Sequence, residues 1–215
     1  MLEKVGSPAS SRRPIRFPAR SRRSKLWLLA LLVLPVAYGL TLARSVVFGD
    51  PTEYTFVAHV LGIAHPPGYA FYTLLGKLFQ TLVPLGAVAA RMHLLSAVVA
   101  TVAALFVYGT VRAASRLLFS GRRTPFDVAA AAAVFAALTF GLAADVWQHA
   151  IHANPHIVTA AFLAANLFLL TRWAAGGAAD RRWLFAFSLS AGLGVTHHPL
   201  TVIAFPAYAA FILLV

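Results

Sequence analysis

The chain reads as an all-α, polytopic membrane protein of about six transmembrane helices, with an interfacial or re-entrant segment in its first external loop. Three observations carry this reading. Of its 215 residues, 60% are hydrophobic and 11% charged, and a mean hydropathy of +0.78 lies far above that of a soluble domain. The apolar residues fall in runs near the roughly 20 residues that cross a hydrocarbon core. The basic residues behind the net charge of +12 stand in short clusters beside those runs, a distribution that sets membrane orientation rather than a nucleic-acid face. With no cysteine present, disulfides, thiolate metal sites and cysteine nucleophiles are excluded. The many alanines and arginines fit a prokaryotic chain.

Residues 1–25 carry Lys4, Arg12, Arg13, Arg16, Arg20, Arg22, Arg23 and Lys25 among prolines and serines, without apolar periodicity. They are expected to be a disordered basic tail that holds the N-terminus in the cytoplasm. Residues 26–215 are expected to form one transmembrane domain. Its first span runs from Leu26 to about Val47 and lacks a small-x-small cleavage site, so it stays uncleaved. Further spans are expected at about 92–111, 128–146, 156–173 and 183–197. A sixth begins near Leu200 and is still apolar at Val215, as in a domain truncated at its C-terminus.

The segment from Pro67 to Leu85 is apolar enough to cross but contains Lys77 and Gln80 and is bounded by Pro67 and Pro84. Orientation decides its placement. If it crossed, Arg112, Arg116, Arg122 and Arg123 would share a side with Asp50, against the positive-inside tendency. If it lies along the outer interface, the tail, the Arg112–Arg123 loop and the Arg172–Arg182 loop are all cytoplasmic. Only Arg44, Lys77 and Arg91 then fall elsewhere. This topology places Asp50, Glu53, Asp145 and all eight histidines at or near the outer face.

The stretch GDPTEYTFVAHVLGIAHPPGY, residues 49–69, sets two carboxylates and two histidines between apolar runs. Ionisable groups at a membrane face lose stability unless solvated or paired, which makes them candidates for function. Gathered histidines point to a shared polar cavity, and their position at span ends is unlike the midplane sites of transporters. In a helix, Asp145, His149 and His152 occupy i, i+4 and i+7 on one face, a spacing that can hold a divalent metal; the alternative is an outer rim of hydrogen-bonding residues. Adjacent His197 and His198, in a helix, point about 100° apart, so one of them faces any given ligand.

Residues 49–79 resemble the first external loop of a family of multispanning proteins that has bacterial members and includes the endoplasmic-reticulum transmembrane O-mannosyltransferase. The pattern is Gly-Asp-x-x-Glu, then Leu-Gly-x-Ala-His-Pro-Pro-Gly-Tyr, then Leu-Leu-Gly-Lys-Leu. It is met here by Gly49, Asp50 and Glu53, by Leu61, Gly62 and Ala64 to Tyr69, and by Leu74 to Leu78. A weaker match follows at Gly192 to Gly194 and Thr196 to His198. The resemblance implies a GT-C-like membrane glycosyltransferase. Such an enzyme moves a sugar, mannose in the eukaryotic relative, from a polyprenyl-phosphate carrier to a hydroxyl of a protein or glycan acceptor at the outer face. In a bacterium that face belongs to the cytoplasmic (inner) membrane.

With that reaction in view, Asp50 is the expected base, with Glu53 as its partner or as an acceptor-orienting group. His65, His198, Arg91, His197 and Tyr69 are the expected donor-phosphate and substrate-binding groups. Membrane lipids are the remaining partners. No cofactor is required by the motif, and a divalent metal stays open. One departure concerns the family's Trp-x-x-Ala-x-x-x-Glu. Here Trp147 and Ala150 are followed by Asn154, so a second acidic function there is lost or passes to Asp145. Two other classes remain compatible with the residues alone: a small-solute transporter, in which Asp50 and Glu53 line a path, and a non-catalytic membrane scaffold.

Overall fold

The computed structural model describes residues 29–119 and 126–215. The expected basic tail, the start of the first run, and Arg122 and Arg123 lie outside the described residues. A short 3-10 turn, Ala30–Leu32, opens into α1 (Val33–Thr41). Then come α2 (Asp50–Val60), α3 (Ala70–Leu82), α4 (Val88–Leu118), α5 (Phe126–Leu142), α6 (Ala144–Ala150), α7 (His156–Ala175) and α8 (Arg181–His197). A second 3-10 segment, Pro199–Ala204, runs into α9 (Phe205–Leu214). The architecture is all-α among the described residues.

Helices α4 and α7 are long and apolar enough to cross a membrane. The α5–α6 pair meets the same test as one span bent by 65°. The 3-10 turn with α1, and the final 3-10 segment with α9, are shorter apolar helices. Helix α8 has 17 residues. The bundle is closed by small residues. Ala100, Ala103 and Ala104 of α4 and Ala130, Ala133 and Ala137 of α5 are fully buried, which lets backbones approach as membrane helices require. At Gly109 a side chain would begin 2.6 Å from the Phe168 ring, so α4 and α7 meet at that glycine. Leu105, Phe135, Phe185 and Leu213 point outward, which suits lipid rather than water.

Two elements differ from the sequence expectation, each for a local reason. The first run leaves helical geometry at Leu42 rather than near Val47. Ala43 N–H donates to Ile151 O at 3.1 Å and His93 Nε2 donates to Ser45 O at 3.0 Å, so tertiary hydrogen bonds hold the segment extended. The run expected at 128–146 breaks at Ala143. There the Tyr38 hydroxyl donates to Gly141 O at 2.6 Å, occupying a carbonyl that a continuous helix would use itself. The Leu34 side chain fills the space where Gly141 lacks one.

The segment after Pro67 becomes α3, 13 residues long and too short to span. It buries Tyr72, Gly76 and Gln80 on one face and exposes Leu74, Leu78 and Leu82 on another, the four-residue repeat of an amphipathic helix. Gly76 seats it against Ala58 of α2 and Met92 of α4. Helices α2 and α3 thereby pack as a unit against the start of α4.

Candidate active site

Helix α2 opens at Asp50, with Gly49 at φ +90° as its N-cap and Pro51 in the first turn, positions that suit glycine and proline. Asp50 and Tyr54 share one helical face at i and i+4. The helix ends at Leu61, and the chain turns through His65, Pro66, Pro67 and Gly68 into Tyr69, the N-cap of α3. Tyr69 has φ +47°, a region that bulky side chains avoid unless packing enforces it. Here packing does enforce it. The Tyr69 ring is buried, with ring centroids 5.4 Å from Tyr54, 6.1 Å from His65, 5.9 Å from His156, 5.9 Å from His197 and 5.5 Å from His198. One tyrosine joins α2, the turn, α7 and α8.

Glu53 is fixed to the turn at two points. Its Oε1 accepts from the His65 backbone N–H at 2.7 Å, and its Oε2 accepts from His65 Nδ1 at 2.8 Å. These bonds, the backbone one foremost, hold the Glu53 carboxyl below the usual carboxylate range. The bond to Glu53 pushes the His65 imidazole above its ordinary range, helped by the charges of Glu53 and Asp50. The far nitrogen of His65, Nε2, lies 3.3 Å from the Tyr54 hydroxyl. Burial raises Tyr54 and Tyr69, and Asp50 raises both further. Asp50 itself is exposed and makes no hydrogen bond among the described residues.

The other expected donor-binding residues divide. His198 is buried at the end of α8, and its Nδ1 accepts from Leu200 N–H at 3.1 Å. The ring proton of a neutral His198 therefore sits on Nε2, a donor with no protein partner among the described residues. His197 is turned into the bundle, where Nε2 donates to Pro155 O at 2.9 Å and Nδ1 is buried without a partner. The chain leaves helical geometry at His198, so the two adjacent rings differ by their partners rather than by helical spacing, although both touch Tyr69. Arg91 donates to Gly86 O at 2.9 and 3.2 Å and to Gln80 O at 3.1 Å, so its guanidinium closes the α3–α4 turn.

The expected single face of Asp145, His149 and His152 does not form. Helix α6 stops at Ala150, which leaves His152 in the following bend. His149 Nδ1 donates to the backbone oxygen of Asp145 at 2.6 Å, not to its carboxylate. Among the described residues no three histidine, aspartate or glutamate side chains converge to hold a metal ion. His149 instead continues the ring series, 6.4 Å from His152 and 6.1 Å from His156, which is 5.8 Å from His198. Asn154 Oδ1 accepts from the His156 N–H at 2.8 Å where α7 begins. His59 lies apart, 3.3 Å from the Gln80 side-chain oxygen.

Two site residues were not singled out from the sequence. Tyr54 had a legible signal, since it follows Asp50 by four positions, but only once residues 50–60 are read as helix. His156 was read only as one of the outer-face histidines, because its partners Tyr69 and His198 come from distant segments.

The model of the protein O-mannosyl-transferase TMEM260 N-terminal domain matches residues 50–215. The chain is similar to the mouse protein O-mannosyl-transferase TMEM260, 34% identical over 177 residues, which cover 82% of this chain and 23% of the mouse protein. It is also similar to the Dictyostelium discoideum protein of that name, 38% identical over 78 residues, 35% of this chain and 10% of that protein. The chain thus spans less than a quarter of the relatives' own length. No solved structure is significantly similar to it. The matched region begins at Asp50 and takes in the whole ring cluster, and the chain belongs to the family defined by the TMEM260 N-terminal domain.

Proposed function

We propose that the chain supplies the catalytic end of a membrane glycosyltransferase. The enzyme transfers a sugar, mannose by analogy with its relatives' names, from a polyprenyl-phosphate carrier to an acceptor hydroxyl of a protein or glycan. The observation that carries this reading is the contrast between the two carboxylates. Glu53 is engaged at both oxygens, whereas Asp50 is exposed, without a hydrogen bond, and its charge reaches Tyr54, His65, Tyr69 and His156. An open carboxylate beside buried phenols and exposed imidazoles suits a general base.

In this reading Asp50 takes the proton of the acceptor hydroxyl as the oxygen attacks the anomeric carbon and the carrier phosphate leaves. The leaving group needs charge stabilisation rather than a strong acid. His198 Nε2–H supplies it, with His156 beside it. Reaction with a single carboxylate base predicts inversion at the anomeric carbon. Helix α3 lies along the outer interface with Leu74, Leu78 and Leu82 toward lipid. The site faces outward from a bacterial cytoplasmic membrane, with the N-terminus inside.

The test is turnover of a radiolabelled polyprenyl-phosphate sugar by membranes holding the full-length protein, wild type against Asp50→Asn. A fall of at least about a hundredfold supports both the reaction and the base. Turnover that Asp50→Asn leaves intact removes Asp50 from the role. No turnover of any such carrier removes the reaction.

A further inference from the structure

We propose that the apolar groove between α4 and α8, floored by α7, holds the isoprenoid chain of the sugar carrier while the carrier's phosphate sits at His156 and His198. This deepens the reading of the site as a glycosyl-transfer centre and rests on it.

The groove follows from how three helices pack. Helix α7 lies against α4 on one side and against α8 on the other, whereas α4 and α8 barely meet. The gap between them is a cavity of about 420 Å³. Of the described residues that line it, all but Ser190 are apolar. Val98 and Val102 on α4 and Leu189 and Leu193 on α8 belong to the lining and stay exposed, which suits a slot that opens to hydrocarbon.

Its position ties it to the ring cluster. At the near end Val158 follows His156 by two positions on α7, and Leu193 precedes His197 by four on α8. Phe162, in the lining, stands 6.1 Å from His197 and 5.3 Å from Phe71 of α3 between ring centroids. At the far end Phe106 packs on Phe168, 5.7 Å between centroids, and the Phe168 ring fills the notch at Gly109. The slot thus starts beside the histidines, is stopped by aromatic rings and opens sideways toward lipid.

Its width selects the occupant. From Val158 to Leu169 the lining follows α7 for about 16 Å, at 1.5 Å per residue. About 420 Å³ over about 16 Å leaves a mean cross-section of about 26 Å². That is room for one hydrocarbon chain and far less than an α-helix needs, which with its side chains is about 10–12 Å across. Lipid tails are as apolar as the lining, so no hydrophobic force draws a chain in. What the slot contributes is van der Waals packing against one fixed chain, which keeps the attached phosphate in place beside His156 and His198.

The experiment uses the full-length protein in membranes. In the first arm a polyprenyl phosphate carrying a diazirine near its phosphate end is photolysed with the wild type, and labelled peptides are mapped by mass spectrometry. Label is expected on the α7 and α8 residues of the groove, Phe162 and Leu189 among them. Excess unlabelled polyprenyl phosphate should remove it at least about tenfold more effectively than phosphatidylglycerol. Absence of label there, as when another helix of the protein covers the groove, overturns the proposal, and so does equal competition by phosphatidylglycerol. In the second arm Ala161→Phe and Ala186→Phe fill the slot, and sugar donors with a long chain and with a single isoprene unit are compared. For the long-chain donor KM is expected to rise about tenfold with kcat little changed, whereas the short-chain donor is unaffected. An unchanged KM, or equal losses on both donors in a variant with the wild-type unfolding midpoint, overturns the proposal. Where a variant does not fold, the labelling of the wild type decides. Wild-type turnover without label in the groove overturns the groove and leaves the transfer reading standing. Competed label without turnover of any sugar donor overturns the transfer reading and leaves the groove as a polyprenyl-phosphate site.

Discussion

His65 and His197 stand at nearly the same distance from Tyr69, 6.1 and 5.9 Å between ring centroids, on two different parts of the molecule. His65 belongs to the turn between α2 and α3. It is exposed, bonded to a carboxylate on one side and facing a phenol on the other. His197 belongs to the bundle, buried and donating to a backbone carbonyl. His93 shows the bundle pattern twice over, accepting from Ala153 N–H at 2.7 Å and donating to Ser45 O. The same side chain is thus held by a carboxylate in the turn and by backbone groups in the bundle. What differs is the partner: a titratable carboxylate leaves a proton to move, whereas a backbone group consumes the ring's bonding capacity.

The largest expected effect tests the chemical side. Asp50→Asn should cut sugar turnover at least about a hundredfold while leaving the unfolding midpoint in micelles nearly unchanged. A parallel loss of stability would move Asp50 to the structural side of the comparison. The next effect tests the backbone-held histidines. His93→Leu leaves the Ala153 N–H and the Ser45 carbonyl without their partner, and should destabilise by about 2–5 kcal/mol in denaturant unfolding. Activity per folded molecule should stay close to wild type. Gly109→Leu probes the bundle without touching any histidine. With its new side chain starting 2.6 Å from the Phe168 ring, it should cost about 1–3 kcal/mol by the same assay.

A pH series sharpens the contrast further. Glu53 is held below its unfolded range, so its contribution is present above about pH 4.3 and is lost as pH falls through its lowered value. His65 is held above its unfolded range, so its contribution is full below about pH 6.5 and is lost as pH rises through its raised value. The stability difference between wild type and Glu53→Gln should therefore be greatest between about pH 4.5 and 6.5 and shrink on both sides. It should be small throughout, since solvent screens the pair. A difference that is flat with pH would deny the ion pair. The smallest effect is expected from Arg91→Ala. Its guanidinium ties the α3–α4 turn, so turnover should hold while stability drops by about 1 kcal/mol.

Some of this was legible before any tertiary contact was known. The membrane class follows from composition, because so apolar a chain has no other stable solvent. The turn at residues 65–68 follows from two prolines and a glycine, which cannot continue a helix. The candidate loop followed from its motif, and within it Glu53 is bonded to His65, whose ring touches Tyr69, as does that of His198. Arg91 and His197 were named on charge and adjacency, which say nothing of direction, and the structure turns both toward backbone carbonyls. The Asp145–His149–His152 face failed because periodicity assumes that a helix continues, and α6 ends at Ala150.

The sequence alone was enough for properties that are local or additive: the all-α membrane class, the amphipathic character of α3, and the position of the motif between apolar runs. Hydropathy and backbone preference act over a few residues, so they can be read in order along the chain. Folding in three dimensions had to settle the rest. Glu53 and His65 are twelve positions apart, His198 meets Tyr69 across more than half the chain, and the α5–α6 break depends on a hydroxyl from Tyr38. A hydrogen bond or ring contact depends on distance and direction in space, and neither is encoded in residue type or spacing.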